Sequence, residues 1–418
     1  MASKKNTSLT VMKFGGTSLA TTERIREVAK RVAAERAAGK DVVVVVSAMG
    51  DTTDGLFRLA RSISPNPPKR EVDMLLTAGE RISMALLSMA INELGYAAIS
   101  FTGSQSGIVT DTSHTRAKIL DVRAFRVRDE IEKDRVVIVA GFQGVSPAKE
   151  VTTLGRGGSD TTCVALAAAF GADACEIYTD VEGVFTADPR IVPQASKLDE
   201  ISYDEMLEMA FCGAQVMHTR SVEVARRYGV RVHVRSSFKK EMGTIVTSNE
   251  EVETADIRGI AHDLDAVMVS FRSVETSEGL AGRVLEALEG NDISLRFVYA
   301  SEGVGDRESL SFLVSGEDME SAVESLRNNL GDLDFTVDEG IATISVIGHG
   351  ICSAPGVARK ILASLAGLGV SPIAISTSGI TLTVVLCGDR AAEAIRKLHA
   401  DLGLGEPIRS EERQSGPA

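Results

Sequence analysis

Five consecutive valines at 42–46, closed by Ser47, constrain this chain more than any other stretch. An apolar run with no polar alternation fits a strand covered on both faces, and such strands belong to the middle of parallel sheets. Parallel neighbours need crossover helices, so helical segments are expected on both sides of the run. Thr22 to Ala38 supplies one, rich in Ala, Glu and Arg, with Gly39 as a stop. After the proline-rich loop at 64–69 a second helical pattern begins at Glu71. Short apolar segments at 9–14, 97–100, 136–142, 175–180 and 230–235 end in small or polar residues. Strands alternating with helices in this way read as an α/β domain built of βαβ units.

Open α/β sheets collect ligands at the carboxyl edge, so the residues after each strand are the candidates for chemistry. V-M-K-F-G-G-T-S at 11–18 can present backbone N–H groups to a phosphate beside Lys13, or be a structural turn. Ser47 and the following A-M-G-D-T-T lie at the same edge, as a site segment or a solvated turn. Glu80 sits inside an apolar helix, where a carboxylate needs either a basic neighbour or a substrate amine. The strongest local signal is V-T-T-L-G-R-G-G-S-D-T-T at 151–162, running straight into C-V-A-L-A-A-A-F. Gly155, Gly157 and Gly158 permit close approach of a ligand, and Arg156 offers a donor fork for a carboxylate or phosphate. Ser159 and Asp160 stand at the helix start, with capping alone as the bland alternative for Asp160. Beyond the next strand come Asp180, Gly183 and Arg190, and after the strand at 230–235 come Lys239 and Lys240. Cations recurring after strand ends predict a cavity for a polyanion.

The remaining composition removes other classes. A formal charge of -13, 4% aromatics and no Trp argue against nucleic acid or anionic membrane as partners. The five Cys have no C-x-x-C spacing and read as reduced core thiols of a cytosolic protein. The six His form neither H-x-x-H nor H-E-x-x-H and read as structural or surface residues; neither a zinc site nor a His-centred relay is expected. Neither a P-loop nor a G-x-S-x-G elbow occurs, no signal peptide is expected at the N-terminus, and no window is expected to approach a membrane span. The chemistry implied is electrostatic clamping, as in phosphoryl transfer, with Mg²⁺ bridging phosphate oxygens and Asp180 or water as a further ligand.

From about Glu250 the chain repeats itself. V-M-V-S at 267–270 matches I-S-V-I at 344–347, and 278–294 matches 355–371 at the same offset. Each unit reads as strand, helix, strand, strand, helix, an α+β module with no evident nucleophile and a binding or oligomerisation role.

K-F-G-G-T-S at 13–18, T-L-G-R-G-G-S-D at 153–160, T-D-V-E-G-V-F-T-A-D-P-R at 179–190 and G-A-Q-V-M-H at 213–218, in this order, closely resemble the aspartate kinases. The resemblance implies a three-layer αβα amino acid kinase fold over 1–249, followed by a C-terminal pair of ferredoxin-like ACT modules. The first would span 265–335, the second 250–264 with 336–411, and 412–418 would be a tail. It implies transfer of the γ-phosphoryl group of ATP to the side chain of L-aspartate. Lys13 would stabilise the transferring group and Asp160 would organise the site. Ser47, Thr53, Glu80, Arg156, Gly158 and Ser159 would bind aspartate, with Arg156 on a carboxylate and Glu80 on the ammonium. Lys13, Gly15, Gly16, Thr179, Asp180, Phe185, Arg190 and one of Lys239 or Lys240 would bind ATP. A homodimer or homotetramer through the ACT modules and lysine or threonine as effector are also implied. The first module lacks the family's D-x-P-G-like turn, reading E-T-S-E-G at 275–279, while the second has S-A-P-G at 353–356; Gly379 stands where Glu is common. Another amino acid kinase acting on a different carboxylate, or a non-catalytic amino-acid sensor, would share parts of this pattern.

Overall fold

In the computed structural model all five valines are fully buried, in a strand that spans Asp41–Val46. It pairs in parallel with Leu9–Phe14 on one side and Val136–Ala140 on the other. Residues 7–248, 256–275, 279–289, 293, 295–302, 307–331, 333–351 and 355–405 are described. The acidic linker at 250–255, the turn residues 276–278 and 353–354, Cys352 and the tail at 412–418 lie outside them.

The sheet has eight strands. From edge to edge they are Glu200–Ser202, Thr244–Thr247, Val232–Ser236, Ala174–Thr179, Leu9–Phe14, Asp41–Val46, Val136–Ala140 and Ala98–Phe101. Only the pairing of Val232–Ser236 with Thr244–Thr247 is antiparallel. Side chains alternate across the strands. Met12, Phe14, Val42, Val44 and Val46 therefore pack with Ile25, Val28 and Val32 of helix Thr22–Ala37 and with Leu87 and Ile91 of helix Ala78–Glu93. The opposite face is covered by helix Gly158–Phe170, whose residues 158–164 are buried without exception. Two helical layers around one sheet are the predicted arrangement.

Three features depart from the sequence reading. A separate four-stranded sheet, ordered Ile119–Val122, Ile108–Thr110, Gln143–Val145 and Val151–Thr153, has strands of three or four residues, too short to show a period. Helix Thr52–Ile63 starts in the segment read as a site segment or a solvated turn; it repeats apolar residues at Leu56, Leu59, Ala60 and Ile63, yet none of its residues is completely buried, and Leu59 and Ile63 are exposed. The stretch 69–93 is long and apolar enough by composition to cross a membrane, contrary to expectation. It folds as helices Lys69–Leu76 and Ala78–Glu93, meeting at Thr77, with Asp73, Glu80 and Ser83 buried against protein. Among the thiols, Cys163 and Cys175 are buried as expected, Cys212 is half-buried, and Cys387 is exposed and not a core residue.

Chain contacts divide the molecule into two units. The first holds residues 1–185, 197–211 and 215–251; the second holds 186–196, 212–214 and 252–418. The second thus takes Thr186–Ser196 from inside the segment read as kinase domain. It is organised by one six-stranded sheet, ordered Phe297–Glu302, Arg307–Ser315, Asp256–Glu275, Thr336–His349, Thr381–Cys387 and Ala374–Thr377. The twenty-residue strand Asp256–Glu275 serves both repeats: Asp256–Asp263 pairs with Thr343–His349, and Ala266–Glu275 with Arg307–Ser315. Each repeat closes its own core with two helices, Leu280–Glu289 and Met319–Leu330 in one, Pro355–Gly367 and Ala391–Leu402 in the other. The strand, helix, strand, strand, helix order is the predicted one in both.

Ala187 and Val192 join the core of the second repeat, and Thr186 is its polar anchor. The Thr186 hydroxyl meets Nε2 of buried His399 at 2.9 Å, donates to the Leu404 carbonyl and accepts from Ser196 N–H. Thr186→Val keeps the shape and strands those groups, so urea denaturation is expected to show about 1–3 kcal/mol lost from this unit. A loss below a few tenths would mean that the hydroxyl contributes nothing.

Candidate active site

Lys13 is the penultimate residue of its strand, and alternation turns it away from Met12 and Phe14 toward helix Gly158–Phe170. Its Nζ lies 2.6 Å from Oδ1 of Asp160, and both side chains are 12% exposed. Asp160 is therefore not a cap. The N-cap position belongs to Gly157, left-handed at φ 67°, which has no side chain to cap the first turn. Oδ1 has the ammonium within ion-pair distance but no donor aligned on it. At 2.6 Å the ammonium and the carboxylate form a close, charge-assisted pair.

Two turns close over this pair at the carboxyl edge of the sheet. Gly50 N–H donates to Gly16 O at 3.0 Å, and Ser47 N–H to Phe14 O at 3.1 Å. A Cβ on Gly16 would stand 3.0 Å from the carbonyl oxygens of both Ala48 and Gly50, so a larger residue would push the turns apart. Gly15 N–H donates to Tyr178 O at 3.3 Å, which engages one of the two predicted phosphate donors with protein.

Glu80 lies in the first turn of helix Ala78–Glu93 and is 3% exposed. Oε1 accepts the Ala48 N–H at 3.1 Å, while Oε2 is buried with no partner. The expected alternative, a salt bridge to a basic neighbour, is absent among the described residues. Burial pushes its carboxyl up to about 7, against the lowering effect of the backbone bonds. An orphaned, desolvated carboxylate oxygen is suited to receive a cation. Ser83 fixes the helix to the same strand end by donating to Ser47 O at 2.7 Å, and Thr53 is half-buried in the first turn of Thr52–Ile63.

Gly158 and Ser159 are buried beside Asp160, while Arg156 is exposed. Thr179 donates its hydroxyl to Asp180, an exposed carboxylate at the end of strand Ala174–Thr179. Phe185 is half-buried, Lys239 is ion-paired with Glu182, and Lys240 is exposed. Arg190 falls in the other unit, its guanidinium gripping both oxygens of Asp188. No group of three or more His, Cys, Asp or Glu side chains suited to a metal occurs among the described residues.

Three residues reaching the glycine loop were passed over in the sequence. Asp73 is fully buried and bonded to Thr153 Oγ1; Arg220 donates to the carbonyls of Leu154 and Ala117; the His218 ring lies against Gly157. Asp73 carried the same signal as Glu80, an acid within an apolar helix. His218 was read as structural although it ends the motif at 213–218, and its Nδ1 caps its own helix by accepting Arg220 N–H; Arg220 carried no signal, because its partners are backbone carbonyls far away in sequence.

Fold and site together define an amino acid kinase with a C-terminal ACT region. The amino acid kinase family profile matches residues 8–236, and an ACT domain profile matches 344–402. The aspartokinase of Mycolicibacterium smegmatis is 49% identical over 407 residues, covering 95% of this chain and 97% of that protein. That of Bacillus sp. strain MGA3 is 45% identical over 408 residues, 96% and 99% of the two chains. Escherichia coli aspartokinase III, solved with aspartate and ADP, superposes with a TM-score of 0.81 at 25% identity, covering 94% of this chain and all of that one. The chain belongs to the aspartokinase family.

Because the folded protein holds the Glu80 proton up to about pH 7 and the unfolded chain releases it near 4.5, ionisation destabilises the fold as pH rises through that window. The penalty reaches about 3 kcal/mol above pH 7. Glu80→Gln is therefore expected to melt higher than the parent at pH 8, with the gap narrowing toward pH 5.5. A gap independent of pH, by scanning calorimetry, would count against a desolvated carboxyl.

Proposed function

We infer that this chain transfers the γ-phosphoryl group of ATP to the side-chain carboxylate of L-aspartate. The products are 4-phospho-L-aspartate and ADP, the first step toward lysine, threonine, methionine and isoleucine. The observation that carries the residue assignment is the buried Lys13–Asp160 pair set beside an unpartnered carboxylate oxygen of Glu80, at one sheet edge. A cation held in reserve by an acid suits a transition state in which charge spreads over the phosphoryl oxygens.

Glu80 Oε2 takes the substrate ammonium, and Arg156 takes a carboxylate as a two-pronged donor. Ser47, Thr53, Gly158 and Ser159 line the aspartate position, and Thr179, Asp180, Phe185, Gly16 and one of Lys239 or Lys240 serve the nucleotide. Gly15 is a weaker member of that set, since its N–H already donates to Tyr178 O, and Arg190, in the other unit and held by Asp188, is left out of it. A carboxylate oxygen of aspartate forms the new P–O bond, while the β,γ-bridging oxygen departs with its electron pair on ADP. Lys13 leans from Asp160 to the transferring group, so no proton need move. Mg²⁺ bound to the phosphates would offset their charge; Asp180, a lone exposed carboxylate at a strand end, fits a metal held mainly by phosphate and water.

Escherichia coli aspartokinase III has also been solved with lysine and aspartate. A regulatory, self-associating role for the paired ACT modules is supported here by exposed Val298, Tyr299 and Ile375 on the two edge strands of their sheet. Lysine or threonine is the proposed effector, a homodimer or homotetramer the proposed state, and the cytoplasm the proposed location.

With MgATP, hydroxylamine and a panel of acidic amino acids, a hydroxamate is expected from aspartate. A hydroxamate from glutamate but none from aspartate would overturn the substrate. Lys13→Met is expected to lower kcat by about 10²–10³ with the circular dichroism spectrum unchanged; an unfolded variant would mark Lys13 as structural. KM for aspartate is expected to rise about tenfold per pH unit below 7, where Glu80 must first lose its proton, and a flat KM profile from pH 5.5 to 8 would remove Glu80 from the ammonium.

A further inference from the structure

The loop that bears Arg156 is held from two sides by residues outside the substrate sets proposed above. On one side, Asp73 of helix Lys69–Leu76 is 0% exposed and takes all its partners from two segments. Its Oδ1 accepts Thr153 Oγ1 at 2.6 Å and Thr115 N–H at 3.0 Å, and Oδ2 lies 2.7 Å from His114 Nδ1. Thr115 has φ 70°, a left-handed conformation that a β-branched residue adopts only when its surroundings impose it. On the other side, Arg220 of helix Thr219–Tyr228 donates Nη1 to Leu154 O and, at 2.8 Å, Nη2 to Ala117 O. Ala117 N–H in turn donates to Thr153 O at 2.8 Å.

The two grips meet at the glycines. A Cβ on Gly155 would stand 3.0 Å from Thr115 O, and one on Gly157 would stand 2.1 Å from the His218 Cβ. The segment 114–117 and His218 thus press directly on the loop on either side of Arg156, whose own side chain is exposed. A buried carboxylate and a half-buried guanidinium directed at main chain fix a backbone and form no ion pair with each other.

We propose that Asp73 and Arg220 are positioning residues that clamp the 153–157 backbone so that Arg156 meets the aspartate carboxylate in a fixed geometry. The proposal rests on the aspartate reading above and adds two residues to it. The clamp acts on the loop's conformational freedom, so loosening it weakens aspartate binding and leaves the nucleotide side unaffected.

The test uses the full-length chain with Thr153→Val, Thr153→Ser and Arg220→Lys. The first removes the hydroxyl that Asp73 holds, the second restores it, and the third replaces a fork spanning two carbonyls with a point charge. Thr153→Val and Arg220→Lys are expected to raise the KM and the calorimetric Kd for aspartate about tenfold, with KM for ATP within twofold, and Thr153→Ser to match the parent. Both aspartate-weakened variants are also expected to be cut faster by trypsin after Arg156, which reads the loop without any substrate. Equal rises in both KM values, failure of Thr153→Ser to recover, or unchanged cleavage would each overturn the clamp. A parent that makes no aspartyl hydroxamate but shows clamp-dependent cleavage would remove the aspartate reading and leave the clamp standing.

Discussion

The rest of the catalytic unit depends on one buried ion pair. Lys13 and Asp160 come from a central strand and the first turn of the helix that covers it, and each is almost withdrawn from water. Desolvating two charges is costly, and their attraction offsets that only while strand and helix stay in register. The register is kept by an apolar sheet on one side and by a helix start with no side chain larger than glycine at 157 and 158 on the other. A larger residue at 158 would strike Leu154 and Phe142 and lift Asp160 away. The glycines of the loop thus serve the charge pair as much as any ligand.

Glu80 shows the converse arrangement, an acid placed where nothing neutralises it. Ala48 N–H supports one oxygen and the other is left bare, so the fold carries an electrostatic penalty that a cation at that oxygen would relieve. Stability is lower before binding so that recognition is stronger after it, the usual trade at a site that must discriminate charge. Lys13 already has its counter-ion and the buried Glu80 Oε2 has none, so the two charges differ in what a ligand can offer them.

The regulatory unit has a different logic. One long strand, Asp256–Glu275, is shared by two repeats, so neither can shift its sheet without the other. Through Ala187, Val192 and the Thr186–His399 bond, the second repeat also incorporates a segment that precedes it by many residues. The Arg190 side chain belongs to that segment and is paired with Asp188, two residues before it in the motif read as nucleotide-binding.

Much of this was legible in sequence because local physics determines it. The valine run could only be a doubly covered strand, the glycine turns could only end strands or begin helices, and the doubled apolar pattern could only be two like modules. Glu80 stood out because charge in apolar surroundings requires a reason, Lys13 because it precedes a glycine turn, and Asp160 because it stands at a helix start after a glycine loop. The sequence could not say that Asp160 answers Lys13 and does not cap its helix, that Glu80 has no protein partner, or that Asp73 and Arg220 grip one loop from two helices. Those relations join residues 32 to 147 positions apart. Only the tertiary structure decides them, because hydrogen bonds and desolvation depend on which groups the packed layers bring within a few ångströms, and no periodicity along the chain encodes that distance.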